Sequence, residues 1–177
     1  MRYPVSRYDN GVPGRISEFF AWNEVTYSDT AIKYGLPNPL SLAKARNAVR
    51  FHDSVLHPAR SDLGVAFHVG SWSRSLALNR KVGGAKQSDH IDALAADVRT
   101  SHHTPYELVE EFILSMVRFH QLINEYGRWT HVSAPPFRER PRMEILTAHI
   151  LIDKNGVERT YYKPGNHHVD PFTRMLL

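Results

Sequence analysis

A chain of 177 residues with no cysteine has to hold itself together by burial alone. It has no disulfide to restrain the unfolded state and no thiolate to close a structural zinc site of the finger or ribbon kind. The length suits one hydrophobic core. A composition of 42% hydrophobic and 23% charged residues lies within the globular range and away from disordered or fibrous chains. Any metal must therefore be held by His, Asp or Glu, and the chain carries 11 histidines. Ligation by histidine and carboxylate belongs to catalytic zinc, which keeps a coordination position open for water.

The net charge of +4 suits a polyanionic partner, but the basic residues are scattered and form no dense run. No basic helix or aromatic-basic interleave points to nucleic acid. No apolar run approaches the roughly 20 residues of a membrane span, so no membrane insertion is expected. Met1 to Arg7 lacks the apolar stretch of a secretory signal.

Periodicity and turn chemistry predict one α+β domain, with helices early and strands late. Residues 1–16 read as an irregular lead-in, 17–162 as the domain and 163–177 as an irregular tail. A helix is expected from Ser17 to about Tyr34, ended by Gly35-Leu36-Pro37. Ser41 caps a second, running to about His57, where Pro58 stops it. Val65–Val69 and Ala93–Val98 read as strands. Thr104-Pro105-Tyr106-Glu107 combines a capping Thr, an early Pro and a Glu three residues after the cap. From it a long helix is expected to Tyr126, on the spacing of Leu108, Phe112, Met116, Phe119 and Ile123, with Gly127 ending it. Trp129–Ser133 reads as a strand, and Asn155-Gly156 as the turn of a hairpin joining Ile145–Ile152 to Val157–Tyr162.

Three residues then stand out as candidates for metal chemistry: His90, Asp97 and His131. Alternation along Trp129-Thr130-His131-Val132-Ser133 puts His131 on one face with Trp129 and Ser133. Two imidazoles and a carboxylate, with water in the fourth place, are the donor set of a hydrolytic zinc site. Taken singly, each residue is also what a hydrogen-bonded surface side chain looks like. His167-His168-x-Asp170 has metal-like spacing too, but lies near a terminus, where clusters are usually solvated.

The surroundings of the trio carry more information. Ser88-x-His90, Ala95-x-Asp97 and Trp129-x-His131-Val132-Ser133, in this order, resemble the zinc D-Ala-D-Ala carboxypeptidases and phage murein endopeptidases. Ser71-Trp72-Ser73-Arg74-Ser75, Leu78-Asn79 and Val82-Gly83-Gly84-Ala85 are similar to the segment before that family's first zinc histidine. Phe20, Glu24, Ser28, Thr30-Ala31, Gly35 and Asn38 are similar to its helical entry, and Arg60 and Gly64 to the end of its second helix.

The resemblance implies a Hedgehog/DD-peptidase-like domain, with a small antiparallel sheet carrying the site and helices packed on one side. It implies Zn2+ bound by His90, Asp97 and His131, and peptidoglycan peptides as substrates. Arg74 is similar to the family's substrate arginine, which holds a carboxylate or steadies the developing oxyanion. Ser88 either hydrogen-bonds substrate or shapes its loop. Arg128 occupies the position where many members carry an acid three residues before the last histidine. The nearest upstream acid is Glu125, either the general base or an exposed glutamate sharing a polar helix face with Gln121, Arg118 and Glu111. Ala93 stands at a family glycine, so a positive φ there would cost about 1 kcal/mol or more. Trp72 and Ser73 stand where Gly and Tyr are usual, an expected change in the cleft wall.

The function expected is hydrolysis of peptidoglycan stem peptides or cross-links, as in a phage lysis enzyme. Such an enzyme would reside in the host cytoplasm before release to the wall, or be virion-associated. The alternative is a non-catalytic cell-wall-binding or virion component that keeps the fold.

Overall fold

A computed structural model describes residues 3–176; Met1, Arg2 and Leu177, at the ends of the expected lead-in and tail, lie outside it. The chain forms α1 (Trp22–Thr26), α2 (Asp29–Tyr34), α3 (Leu42–Phe51), a π-helical turn (His52–Leu56) and α4 (His57–Leu63). There follow β1 (His68–Ser71), α5 (Leu76–Lys81), a 3-10 turn (Asp89–Asp92), β2 (Ala95–Arg99) and α6 (Pro105–Leu114). The rest is strand: β3 (Gln121–Glu125), β4 (Trp129–Ser133), β5 (Glu144–Ile152), β6 (Glu158–Pro164) and β7 (Met175–Leu176). The fold is α+β, as the pattern predicts.

One sheet runs β1-β2-β4-β3-β5-β6, with β7 beside the far end of β5. It is mostly antiparallel, but β5 lies parallel to both β3 and β7. Alternation divides its central strands. Ala96, Val98, Leu122 and Val132 join the core that α6 covers with Leu108, Val109 and Phe112. Asp97, Glu125 and His131 take the opposite face. Thr130 Oγ1 donates to the Pro105 carbonyl, tying β4 to the start of α6. That start is the expected capping box: Thr104 Oγ accepts from Glu107 N, and Glu107 Oε2 accepts from Thr104 N at 2.7 Å.

Four expectations are corrected. The helix predicted over 17–34 is two short helices. The chain is extended at Tyr27 and Ser28, and Ser28 caps α2 through Ala31 N. Pro58 does not stop the second helix, which continues to Leu63 and ends at left-handed Gly64. Proline lacks a donor and crowds the carbonyl four residues back; the preceding π turn, with His57 N bonding His52 O, absorbs both. The first strand lies three residues later than predicted, at His68–Ser71.

The largest correction concerns the long helix to Tyr126. It stops at Leu114, where Ser115 caps it and Met116 turns left-handed at φ 58° with its side chain exposed. Residues 121–125 are instead an inner strand, paired to β4 on one edge and β5 on the other. Phe119 and Ile123 fit a helical stripe only by their spacing; within the strand, alternation turns Leu122 to the core that α6 covers and Ile123 to the cleft.

The lead-in is anchored to the π turn. Ser17 Oγ lies 2.9 Å from His52 Nε2, His52 Nδ1 lies 2.7 Å from Asp53 Oδ1, and Ser6 Oγ donates to that same oxygen at 2.6 Å. The expected hairpin is present, with Gly156 at φ 77°. Lys163 and Pro164, assigned to the tail, extend β6, while β7 pairs with β5. Between them the tail crosses behind the β3–β4 turn, where Arg128 donates to the Pro171 carbonyl at 2.9 Å. Among the described residues no helix is long and apolar enough to cross a membrane.

Gly127, in that turn, has φ 65°, and a Cβ there would stand 2.2 Å from the Val169 carbonyl oxygen. Gly127→Ala is expected to lower unfolding stability by about 1–3 kcal/mol. It should also speed amide exchange across residues 165–171; an unchanged tail would contradict this packing.

Candidate metal centre

Asp97 and His131 are directly paired across β2 and β4, so the register alone puts their side chains together on the open face. His90 arrives from the other side, in the 3-10 turn. That turn ends at Ala93, whose φ of 60° is the left-handed conformation a glycine would take freely. Ala93 holds it among buried neighbours, with its carbonyl accepting from Trp72 Nε1 at 3.1 Å.

The three ligand atoms form a nearly equilateral triangle. His90 Nε2, Asp97 Oδ1 and His131 Nδ1 are each 3.1 Å from the other two. Nitrogen and oxygen ligands around a tetrahedral ion stand about 3.3–3.6 Å apart, so only a few tenths of an ångström separate this triangle from a ligand set. Protonation supports the same reading. His90 Nδ1 donates to the Trp72 carbonyl at 2.7 Å, which leaves Nε2 of the neutral ring a bare acceptor facing a carboxylate oxygen. Without an ion, a proton on His131 Nδ1 is needed to bridge to Asp97; a divalent cation can take that proton's place, and these residues fit a divalent metal. They are also the group of three His, Cys, Asp or Glu found close enough to share an ion among the described residues. His167 and His168 are engaged elsewhere: His167 N bonds Thr147 Oγ1, and His168 stacks on Tyr106.

The charges around the triangle are tightly coupled. Burial disfavours the Asp97 carboxylate, but the two imidazoles outweigh it and hold its pKa far below the ordinary value. Burial lowers the pKa of His90. At His131 burial is overcome by the bond and charge of Asp97, and the pKa rises. Arg74 Nη2 is ion-paired with Asp97 Oδ2, and Arg74 Nε donates to Ser71 Oγ at 2.8 Å.

Glu125 is not on a helix end. As the last residue of β3 it projects onto the face of the triangle, with Oε1 4.0 Å from His131 Nδ1. Trp129 Nε1 donates to its Oε2 at 3.0 Å. Burial, then the Asp97 charge, pushes its pKa up to about 7. Arg128, at the usual position of the acid, turns away to Pro171.

A cleft of about 480 Å³ opens over these groups. Ser88 lines it, its hydroxyl making no hydrogen bond to the described residues. Trp72 and Ser73 do not line it: both are buried, and Trp72 instead fixes His90, so the expected change in the cleft wall is corrected to a change beneath the site. Sequence reasoning missed Arg99, Tyr126, Thr160 and Tyr162, all in the cleft lining. Alternation pairs Thr160 with Tyr162 on one face of β6, but only the long-range register of β3, β5 and β6 brings that face to the site.

The model of the peptidase M15 family matches residues 18–133, from before α1 to the end of β4, and the chain belongs to that family. No curated protein matches the chain.

In the metal-free protein, a Glu125 carboxyl at about 7 against an ordinary 4.5 binds its proton more tightly folded than unfolded. Stability then falls as pH rises between those values. Glu125→Gln should be more resistant to urea than the metal-free parent at pH 8 and equal to it at pH 4. Equal resistance at both would contradict the buried placement of this carboxyl.

Proposed function

We propose that this chain is a zinc-dependent peptidase hydrolysing the peptide bonds of bacterial peptidoglycan stems or cross-links, in the manner of a phage lysis enzyme. The observation that carries the reading is the triangle of acceptors set beside one further carboxyl whose pKa is raised, all opening into one cleft. A module that only binds cell wall has no use for a buried carboxyl set 4.0 Å from one corner of such a triangle and opening into the same cleft.

His90, Asp97 and His131 would hold the zinc, with Asp97 oriented by Arg74 and His90 by the Trp72 carbonyl. Zinc in such a site supplies a Lewis acid and brings the pKa of water to about 7. Glu125 is the general base: it takes a proton from the attacking water and returns it to the leaving amine as the peptide C–N bond breaks. Trp129 holds Glu125 Oε2 and leaves Oε1 toward the reacting atoms. Arg74 spends Nη2 on Asp97 and Nε on Ser71, which leaves Nη1 to steady the oxyanion. Ser88 offers its free hydroxyl to the substrate from the facing loop. The net charge of +4 favours contact with an anionic wall once the protein reaches it.

Incubation with peptidoglycan or a synthetic stem peptide should release free amine. A chelator should abolish the release and added zinc restore it. Glu125→Gln should lower kcat about 10²- to 10⁴-fold while still binding zinc. His131→Ala should lose both zinc and activity. Near-normal turnover of Glu125→Gln would remove the residue from the mechanism, and chelator-resistant cleavage would overturn the reading.

A further inference from the structure

The two arginines of the cleft are placed differently. Arg74 is consumed by a metal-site carboxylate and by Ser71. Arg99, the last residue of β2, points into the same cleft one pleat repeat beyond Asp97, about 6.6–6.8 Å along the strand. It pairs with no carboxylate among the described residues, yet its guanidinium is held. Nε donates to the Arg128 carbonyl at 2.9 Å, and Cζ lies 5.7 Å from the centre of the Trp129 ring. Both terminal nitrogens are left free, in the planar fork that grips a carboxylate through two parallel bonds.

The sheet register sets where such a carboxylate would sit. β4 is the neighbour of β2, and Trp129 lies directly across from Glu125. Arg99 is therefore at the Glu125 side of the metal site, the side that receives the leaving amine. An extended residue spans about 3.3–3.4 Å, so a leaving segment of one or two residues carries its terminal carboxylate from the scissile carbon to the reach of Arg99.

Resting on the peptidase reading above, we propose that Arg99 is a specificity-determining residue that binds the free carboxylate of the leaving segment. The cleft then selects substrates whose leaving segment carries a free carboxylate and discriminates against those in which that carboxyl is an amide. Arg74 serves the metal site and the oxyanion, while Arg99 reads the end of the substrate.

The test uses a synthetic stem peptide ending in D-Ala-D-Ala carboxylate and the same peptide as its C-terminal amide. Binding is measured calorimetrically on zinc-loaded Glu125→Gln, which holds the peptide without needing turnover. The acid should bind at least about tenfold more tightly than the amide. Adding Arg99→Gln should bring the two within about twofold, and Arg99→Lys should restore part of the preference, with zinc content unchanged in each. Equal binding of acid and amide in the parent, binding of neither, or a preference that survives Arg99→Gln would overturn the proposal. Hydrolysis by the otherwise unchanged chain is read separately. Failure to cleave either peptide, with the binding difference intact, would overturn the peptidase reading and leave the carboxylate site standing.

Discussion

Three acceptors held at 3.1 Å in a buried site are the arrangement on which the rest of this structure depends. A carboxylate oxygen and two imidazole nitrogens repel one another unless a proton or a metal cation stands between them, and burial amplifies that repulsion. The fold brings them together through unrelated devices. Asp97 and His131 meet because β2 and β4 pair in that register, a contact which a slip of one residue would turn to the other face. His90 meets them because a short turn closes on a left-handed alanine and because the backbone carbonyl of Trp72, buried beneath, accepts a hydrogen bond from its Nδ1. Arg74 then clasps the outer oxygen of Asp97. The core, from Phe20 and Phe51 through Trp72 to Leu122 and Val132, makes this polar cluster possible in a chain with no disulfide.

Much of this was legible in the sequence, because the deciding signals are local. The alternation around His131 gives the strand and its face, Asn155-Gly156 gives the hairpin, and Thr104 to Glu107 gives the helix start. The trio itself is marked by its setting between Ser88 and Ser133. What was not legible depends on contacts distant in sequence. Residues 115–126 carry apolar spacing that fits a helix as well as a strand paired on both edges. Pairing with β4 and β5 decides for the strand, and with it the placement of Glu125. Pro58 reads as a stop until the π turn before it is known. Arg99, Tyr126 and Tyr162 carry no motif; they join the site only through the sheet register.

The C-terminal part of the chain completes the cleft. Family similarity ends at residue 133, yet β5 and β6 lie beyond it and supply Thr160 and Tyr162 to the lining. The tail that follows braces the turn after Glu125 from behind, through Gly127 against Val169 and Arg128 against Pro171. A carboxyl raised to about 7 works against stability in the metal-free fold, and this bracing holds it in place. The candidate metal ligands thus lie within the stretch that the family model matches, and part of the cleft wall lies beyond it.

The central claim is that one divalent cation sits among His90, Asp97 and His131. Anomalous scattering at the zinc edge, on crystals of the zinc-loaded protein, tests it directly. The account predicts a single strong peak about 2.0–2.2 Å from His90 Nε2, Asp97 Oδ1 and His131 Nδ1. A peak elsewhere, or these three side chains bonded to one another with no ion between them, would contradict it.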